Sequence, residues 1–208
     1  MKSIYLSGGM EFKGDLGEGW RRLISPTLEE LGYTIYDPTA NNSAKIEGLS
    51  IEEFYALKEN NLDRYKEITR KNIIKADYLD ILKSDIVLLY YDESARRGAG
   101  TLSEAATAYL LGIPILVVTE YEVKDLPGWL LGEIHAHYKT FKEALNFLSD
   151  TEQVDSLLTK CKRYARKDPV VGAIKNYLDK LFSEVKKDVR TSSCGSSCTC
   201  SNADIKAV

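Results

Sequence analysis

Five short stretches of the chain are apolar almost without interruption: residues 4–7, 33–36, 85–91, 113–119 and 134–138. A strand wetted on one side alternates apolar and polar positions, whereas an unbroken apolar run marks a strand buried on both faces, as in a parallel sheet. Between these runs the apolar period changes to that of a helix. Trp20, Leu23, Ile24, Leu28 and Leu31 recur at helical spacing, with Gly32 as the stop. Pro26 inside that stripe predicts a kink, or a helix that starts afresh after Ser25. Residues 50–83 are helical in composition, with Ser50 and Asn61 as capping candidates; residues 101–111 form a short helix ended by Gly112, and residues 140–148 another, capped by Thr140. Strand alternating with helix predicts an α/β fold: a five-stranded parallel sheet in a flavodoxin/Rossmann-like three-layer sandwich, with strand order 2-1-3-4-5.

The rhythm changes after residue 150. Residues 151–190 read as two amphipathic helices separated around "KDPVVG", a C-terminal helical extension. Residues 191–208 read as a flexible Cys/Ser-rich tail carrying Cys194, Cys198 and Cys200. With 208 residues, 44% of them hydrophobic, the chain can bury one core and an appendage. A net charge of -3 argues against a nucleic-acid-binding surface spread over the molecule. No apolar window reaches the roughly 18 residues of a membrane helix, and the opening "MKSIYLSGG" turns polar too soon for a secretory signal. The expected setting is therefore cytoplasmic, with neither nucleic acid nor membrane as partner. Three clustered cysteines without a nearby fourth ligand make neither a disulfide framework nor a zinc signature, so no metal site is expected.

In an open parallel sheet, ligands bind beyond the carboxyl ends of the strands where strand order reverses. Three loops are expected to meet there: "SGGMEFKGD" with Gly8 and Gly9, "DPTANN" with Asp37, and "YDESARRGAGT" with Gly98 and Gly100. The last of these runs into Glu104, which has two readings. It can close a capping box with Thr101, or it can stand against a small ligand brought close by the glycines. At a helix start its carboxyl is expected to be held ionised, which suits a nucleophile or the stabiliser of a positive centre. Asp77, at the end of the long helical region, could lean over the strand ends; alternatively Asp77 and Asp80 are solvated surface acids. Asp85 reads as a strand-entry residue, and Tyr5 as core, its hydroxyl in need of a partner. Arg96 and Arg97 either hold a phosphate or belong to a solvated loop. His135 and His137 alternate on the last strand, far from the glycine loops, and are not expected to be ligands.

The segments "IYLSGGM", "DYLDILKSDIVLLYY" and "GAGTLSEAATAYLLGIPILVV", in that order over residues 2–148, resemble the nucleoside 2-deoxyribosyltransferase family, with its related 2'-deoxynucleoside 5'-monophosphate and CMP N-glycosidases. The resemblance implies that Glu104 is the nucleophile attacking the anomeric carbon and that Asp77 protonates or orients the leaving base. It puts Tyr5, Gly8 and Gly9 at the sugar site, and implies a homo-oligomer that needs no cofactor. Asp37, Arg97, Gly98, Gly100 and Thr101 complete the expected substrate-binding set. The chain departs from both branches. Transferases place an acidic residue two positions before the conserved glycine of the turn, and monophosphate hydrolases use a nearby serine for phosphate; here those places hold Gly98 and Ala99. "GAGTLSE" also resembles the GGxGTxxE motif of the LOG-type phosphoribohydrolases. The shared implication is cleavage or transfer at the N-glycosidic bond of a (deoxy)nucleoside or its 5'-monophosphate. The competing reading is a nucleotide-binding regulatory protein in which Glu104 merely caps its helix.

Overall fold

The computed structural model describes residues 1–174, 176, 177 and 180. Its strands are β1 (Ser3–Gly8), β2 (Thr34–Tyr36), β3 (Ile86–Tyr90), β4 (Ile115–Val118) and β5 (Ala136–Tyr138). They pair in parallel in the order β2-β1-β3-β4-β5. Each apolar run thus became a strand; β1 extends one residue beyond its run at each end, and the other four are shortened where the backbone leaves the ladder. The helices are α1 (Glu18–Glu30), α2 (Asn42–Lys45), α3 (Ile51–Asn60), α4 (Leu62–Ile68), α5 (Lys75–Lys83), α6 (Glu93–Arg97), α7 (Gly100–Leu110), α8 (Gly128–Glu133), α9 (Phe141–Ser149) and α10 (Thr151–Lys167). A π-helical segment, Thr69–Ile74, joins α4 to α5 without a loop.

Side chains alternate across a strand, and here the alternation builds two cores. Ile4, Leu6, Ile86, Leu88, Leu116 and Val118 point to the face covered by α1, α9 and α10. Tyr5, Val87, Leu89, Ile115 and Val117 point to the face covered by α5, α7 and α8. That division places Tyr5, and Ser7 two residues on, beneath α7.

The local signals are realised in most places. Ser50 with Glu53 and Thr140 with Glu143 close capping boxes on α3 and α9, and Asn61 caps α4. Gly32 and Gly112, after α1 and α7, take φ of 84° and 68°, where a side chain would be strained. The expected fresh start after Ser25 does not occur. Helix α1 runs through Pro26, and the Ser25 hydroxyl donates to the Arg21 carbonyl at 2.7 Å. Trp20, Ile24 and Leu28 are anchored on both sides of the proline, which keeps the helix in one piece. Leu23 and Leu31 are exposed, whereas Arg21 is buried.

Beyond the sheet, α10 lays Val154 and Leu158 into the first core, and Asp168 ends it by accepting from the backbone N–H groups of Val170 and Val171. The helical backbone resumes over residues 169–174. The Cys194, Cys198 and Cys200 tail lies outside the described residues. Among the described residues no helix is long and apolar enough to cross a membrane.

Candidate active site

Glu104 is the fifth residue of α7, a helix that begins at Gly100 and carries no side-chain cap. The expected capping box is therefore absent. Thr101 is buried inside the first turn, and the Glu104 carboxyl turns toward the sheet. Tyr5 donates its hydroxyl to Glu104 Oε1 at 3.0 Å, and Ser7 donates to Oε2 at 2.5 Å. Both donors are fully buried. The period of two along β1 makes this pairing possible, because residues 5 and 7 share the face under α7.

The electrostatics reverse the expectation that Glu104 stays ionised. Burial, then the nearby charge of Asp77, pushes its carboxyl up to about 7, against the Ser7 and Tyr5 hydrogen bonds and the Arg21 charge that favour the ionised form. A helix dipole acts within the first turn, and Glu104 lies beyond it. Among the described residues no ammonium or guanidinium group touches this carboxyl. Tyr5 is likewise driven well above its ordinary value, by burial first and the Glu104 charge second.

The second carboxylate is in a different situation. Asp77, in the first turn of α5, is 8% exposed, so the solvated-surface reading does not hold for it. Its Oδ1 accepts from Lys45 Nζ at 3.1 Å, and the same ammonium donates to the Pro38 carbonyl at 2.8 Å. Burial raises the Asp77 carboxyl above its ordinary value, and Lys45 opposes the rise. Asp80, by contrast, pairs with Lys83 at the surface, and Asp85 fixes the entry to β3 by accepting from Ser3.

Glu104 and Asp77 both line a cleft of about 380 Å³ at the carboxyl end of the sheet. One end is walled by Gly8, Gly9, Ser94, Gly98, Gly100 and Thr101; the other by Phe54, Tyr55, Tyr65, Thr69 and Ile73. The hydroxyls of Ser94 and Thr69 are buried without a hydrogen-bond partner among the described residues, one at each end. Gly9 has a steric role: a Cβ there would sit 2.5 Å from the Ala95 nitrogen of α6. Gly100 faces open space.

Three residues of the expected substrate-binding set stand apart from the cleft lining: Tyr5, which adjoins it through Glu104, Asp37 and Arg97. Asp37 accepts from the backbone and hydroxyl of Thr39 and lies 3.5 Å from Arg21 Nε. The Arg97 guanidinium lies over the Phe12 ring, and that of Arg96 over the Tyr121 ring. His135 accepts from the Ile115 N–H, and His137 is exposed on β5. Conversely, Ser7, Lys45 and Arg21 were not singled out by sequence. Arg21 donates to the carbonyls of Leu6, Gly8 and Gly17 from a fully buried guanidinium, pinning the carboxyl end of the strand that carries Tyr5 and Ser7. A charge on the apolar stripe of α1 was its one visible sign.

No protein-family model and no curated protein sequence matches the chain. Solved structures do. A conserved protein from Enterococcus faecalis V583 is 17% identical, over 75% of this chain and 98% of that one, with a TM-score of 0.50. The chain shares that fold. It is also similar to the 2-deoxyribosyltransferase of Bacillus psychrosaccharolyticus, at 19% identity, with 73% and 95% of the two chains covered and a TM-score of 0.48. The corresponding figures for the CMP N-glycosidase BcmB of Clostridium botulinum are 19%, 71%, 98% and 0.41.

Proposed function

We propose that the protein cleaves or transfers at the N-glycosidic bond of a (deoxy)nucleoside or its 5'-monophosphate. The observation that carries this reading is the Glu104 carboxyl, held on each oxygen by a buried hydroxyl, in one cleft with Asp77. Breaking a bond from C1' to a base nitrogen passes through an oxocarbenium-like state, which calls for a carboxylate beneath the ring and an acid beside the departing base. Glu104 attacks C1' as its carboxylate; the C1'–N electron pair leaves with the base, which takes a proton from Asp77. Burial of Asp77 favours the protonated form this step needs. The glycosyl ester is then attacked at C1' by a second base or by water, which gives its proton to the Asp77 carboxylate as the C1'–O bond breaks and the Glu104 carboxylate is restored. The glycine-lined end takes the sugar, and the aromatic end takes the base. A cleft of about 380 Å³ falls in the range of small-molecule sites.

The capping alternative loses its support, because Glu104 does not cap. The homo-oligomer and the cytoplasmic setting remain part of this proposal; an apolar groove that shares Ile74 and Tyr78 with the cleft supports the former. The test is chromatographic detection of free base from a panel of ribo- and deoxyribonucleosides and their 5'-monophosphates. Wild type is expected to release base, and Glu104→Gln to reduce release by roughly 10⁴-fold while keeping its circular-dichroism spectrum. New nucleoside on addition of an acceptor base marks transfer. Release that survives Glu104→Gln would overturn the assignment.

A further inference from the structure

The cleft does not end at Asp77. A smaller cavity of about 60 Å³ adjoins it there, sharing Met10, Phe54, Tyr55, Ile73 and Asp77 with the cleft and extending to Asn42, Ile46 and Ile51. Glu104 and the glycine turn take no part in it. In the proposed reaction Asp77 stands beside the departing base, so the cavity continues from the base and not from the sugar.

Its polar wall is one-sided. The Asn42 Nδ2 group is buried and has no hydrogen-bond partner among the described residues. Lys45 is already committed to Asp77 and the Pro38 carbonyl. The rest of the lining is largely apolar: Met10, Leu16, Pro38, Ile46, Ile51 and Ile73. A dry apolar void leaves a buried amide donor unsatisfied, and native proteins rarely tolerate that. The donor is answered either by water or by a ligand group. A water needs about 10–15 Å³ on this scale, so the cavity of about 60 Å³ has room for an arm of about four to six non-hydrogen atoms at most.

We propose that this cavity is a subsite for a substituent on the base: a short arm, apolar at its stem and ending in a hydrogen-bond acceptor that Asn42 Nδ2 reads. The substrate class is thereby narrowed to base-modified nucleosides or nucleotides, a refinement that rests on the reaction proposed above. The stem lies against Ile46, Ile51 and Ile73, and the acceptor replaces water on the amide. A site built to satisfy a buried polar group discriminates sharply against an analogue that leaves the group unpaired.

The test compares nucleosides whose base carries hydrogen, a prop-2-ynyl arm or the isosteric cyanomethyl arm, which ends in an acceptor, at the edge away from the sugar. They are assayed for base release, and the corresponding free bases for binding by calorimetry. Wild type is expected to favour cyanomethyl over prop-2-ynyl by at least about tenfold in kcat/KM. Asn42→Ala should bring the two arms level, and Ile46→Phe or Ile51→Phe, which fill the cavity, should remove turnover of both arms while the plain nucleoside is still cleaved. Cleavage of plain nucleosides with no preference among arms, or a preference that Asn42→Ala leaves unchanged, overturns the subsite and leaves the reaction standing. Asn42-dependent binding of the cyanomethyl base without cleavage of any nucleoside upholds the subsite and overturns the reaction. Absence of both binding and cleavage overturns both.

Discussion

Glu104 is a carboxyl supported by hydroxyls, and that choice of partner sets its chemistry. An ion pair would hold the group ionised at every physiological pH; two neutral donors leave it titrating near pH 7. The nucleophile must be ionised while Asp77 holds a proton, so kcat/KM is expected to be bell-shaped in pH, with the limb set by Glu104 at about 7. The Ser7 hydrogen bond favours the ionised form. Ser7→Ala should therefore move the limb set by Glu104 to higher pH, by about one unit for the loss of a hydrogen bond to a charged group. Ser7→Thr should restore it in part. A pH–rate profile checks this, and an unmoved limb would show that Ser7 only fills space. Ser7 was on view in "SGGM" from the outset, but a serine at a strand end reads as turn or core. Its partner is 97 residues away in sequence, a relation no local pattern carries. The same holds for Lys45, whose carboxylate lies on another helix. Glu104 and Asp77 were legible because each sits at a marked place, one after a glycine turn and the other one helix before β3.

Elements were easier to read than contacts. The strands announced themselves because burial on both faces removes the polar residues that would break an apolar run. The caps read at Ser50 and Thr140 formed, each closing a box with the glutamate three residues on, while the box considered at Thr101 and Glu104 did not. There the helix starts at Gly100, and β1 offers Glu104 better partners than its own backbone. The glycines of the two loops look alike in sequence and differ in the fold. At Gly9 an added Cβ meets the backbone of α6, which cannot yield as a flexible side chain would. Gly9→Ala is expected to destabilise the protein by about 1–3 kcal/mol and to lower turnover by shifting the turn. Gly100→Ala, which faces open space, should leave the melting temperature within about 2 °C of wild type. Thermal melts of the pair, with base release measured alongside, separate the two roles. Asp37 was expected at the ligand and instead lies beside Arg21, because the turn after β2 folds its carboxylate back onto Thr39.

At the scale of the whole molecule the two faces of the sheet divide the labour. The face under α1, α9 and α10 is packed almost entirely with apolar side chains, while the face under α5, α7 and α8 also carries Tyr5 and the helices that bear Asp77 and Glu104. Desolvating Glu104 is unfavourable for the fold, and the sign follows from linkage. Its folded-state value of about 7 lies above the ordinary 4.5, so folding favours the neutral form. With respect to this group stability is greatest below pH 4.5, and it falls as pH rises toward and through 7. Glu104→Gln keeps the shape and removes the charge. It is expected to match wild type near pH 4.5 and to exceed it at pH 8, by up to about 3 kcal/mol. Denaturant titrations at both pH values check this; a gap that is the same at both would exclude ionisation as its cause. The π-helical segment makes the assembled site depend on a count of residues. Successive residues of an α-helix are turned by about 100°, and π-helical turns of this kind hold one residue more than the α-helix needs. Taking one residue out of Thr69–Ile74 would let the segment relax to α geometry and swing the aromatic wall from Phe54 to Tyr65 by that angle relative to Asp77. Every residue type would survive such a deletion, and the site would still come apart. Here the length of the chain is as much a part of the recipe as its chemistry.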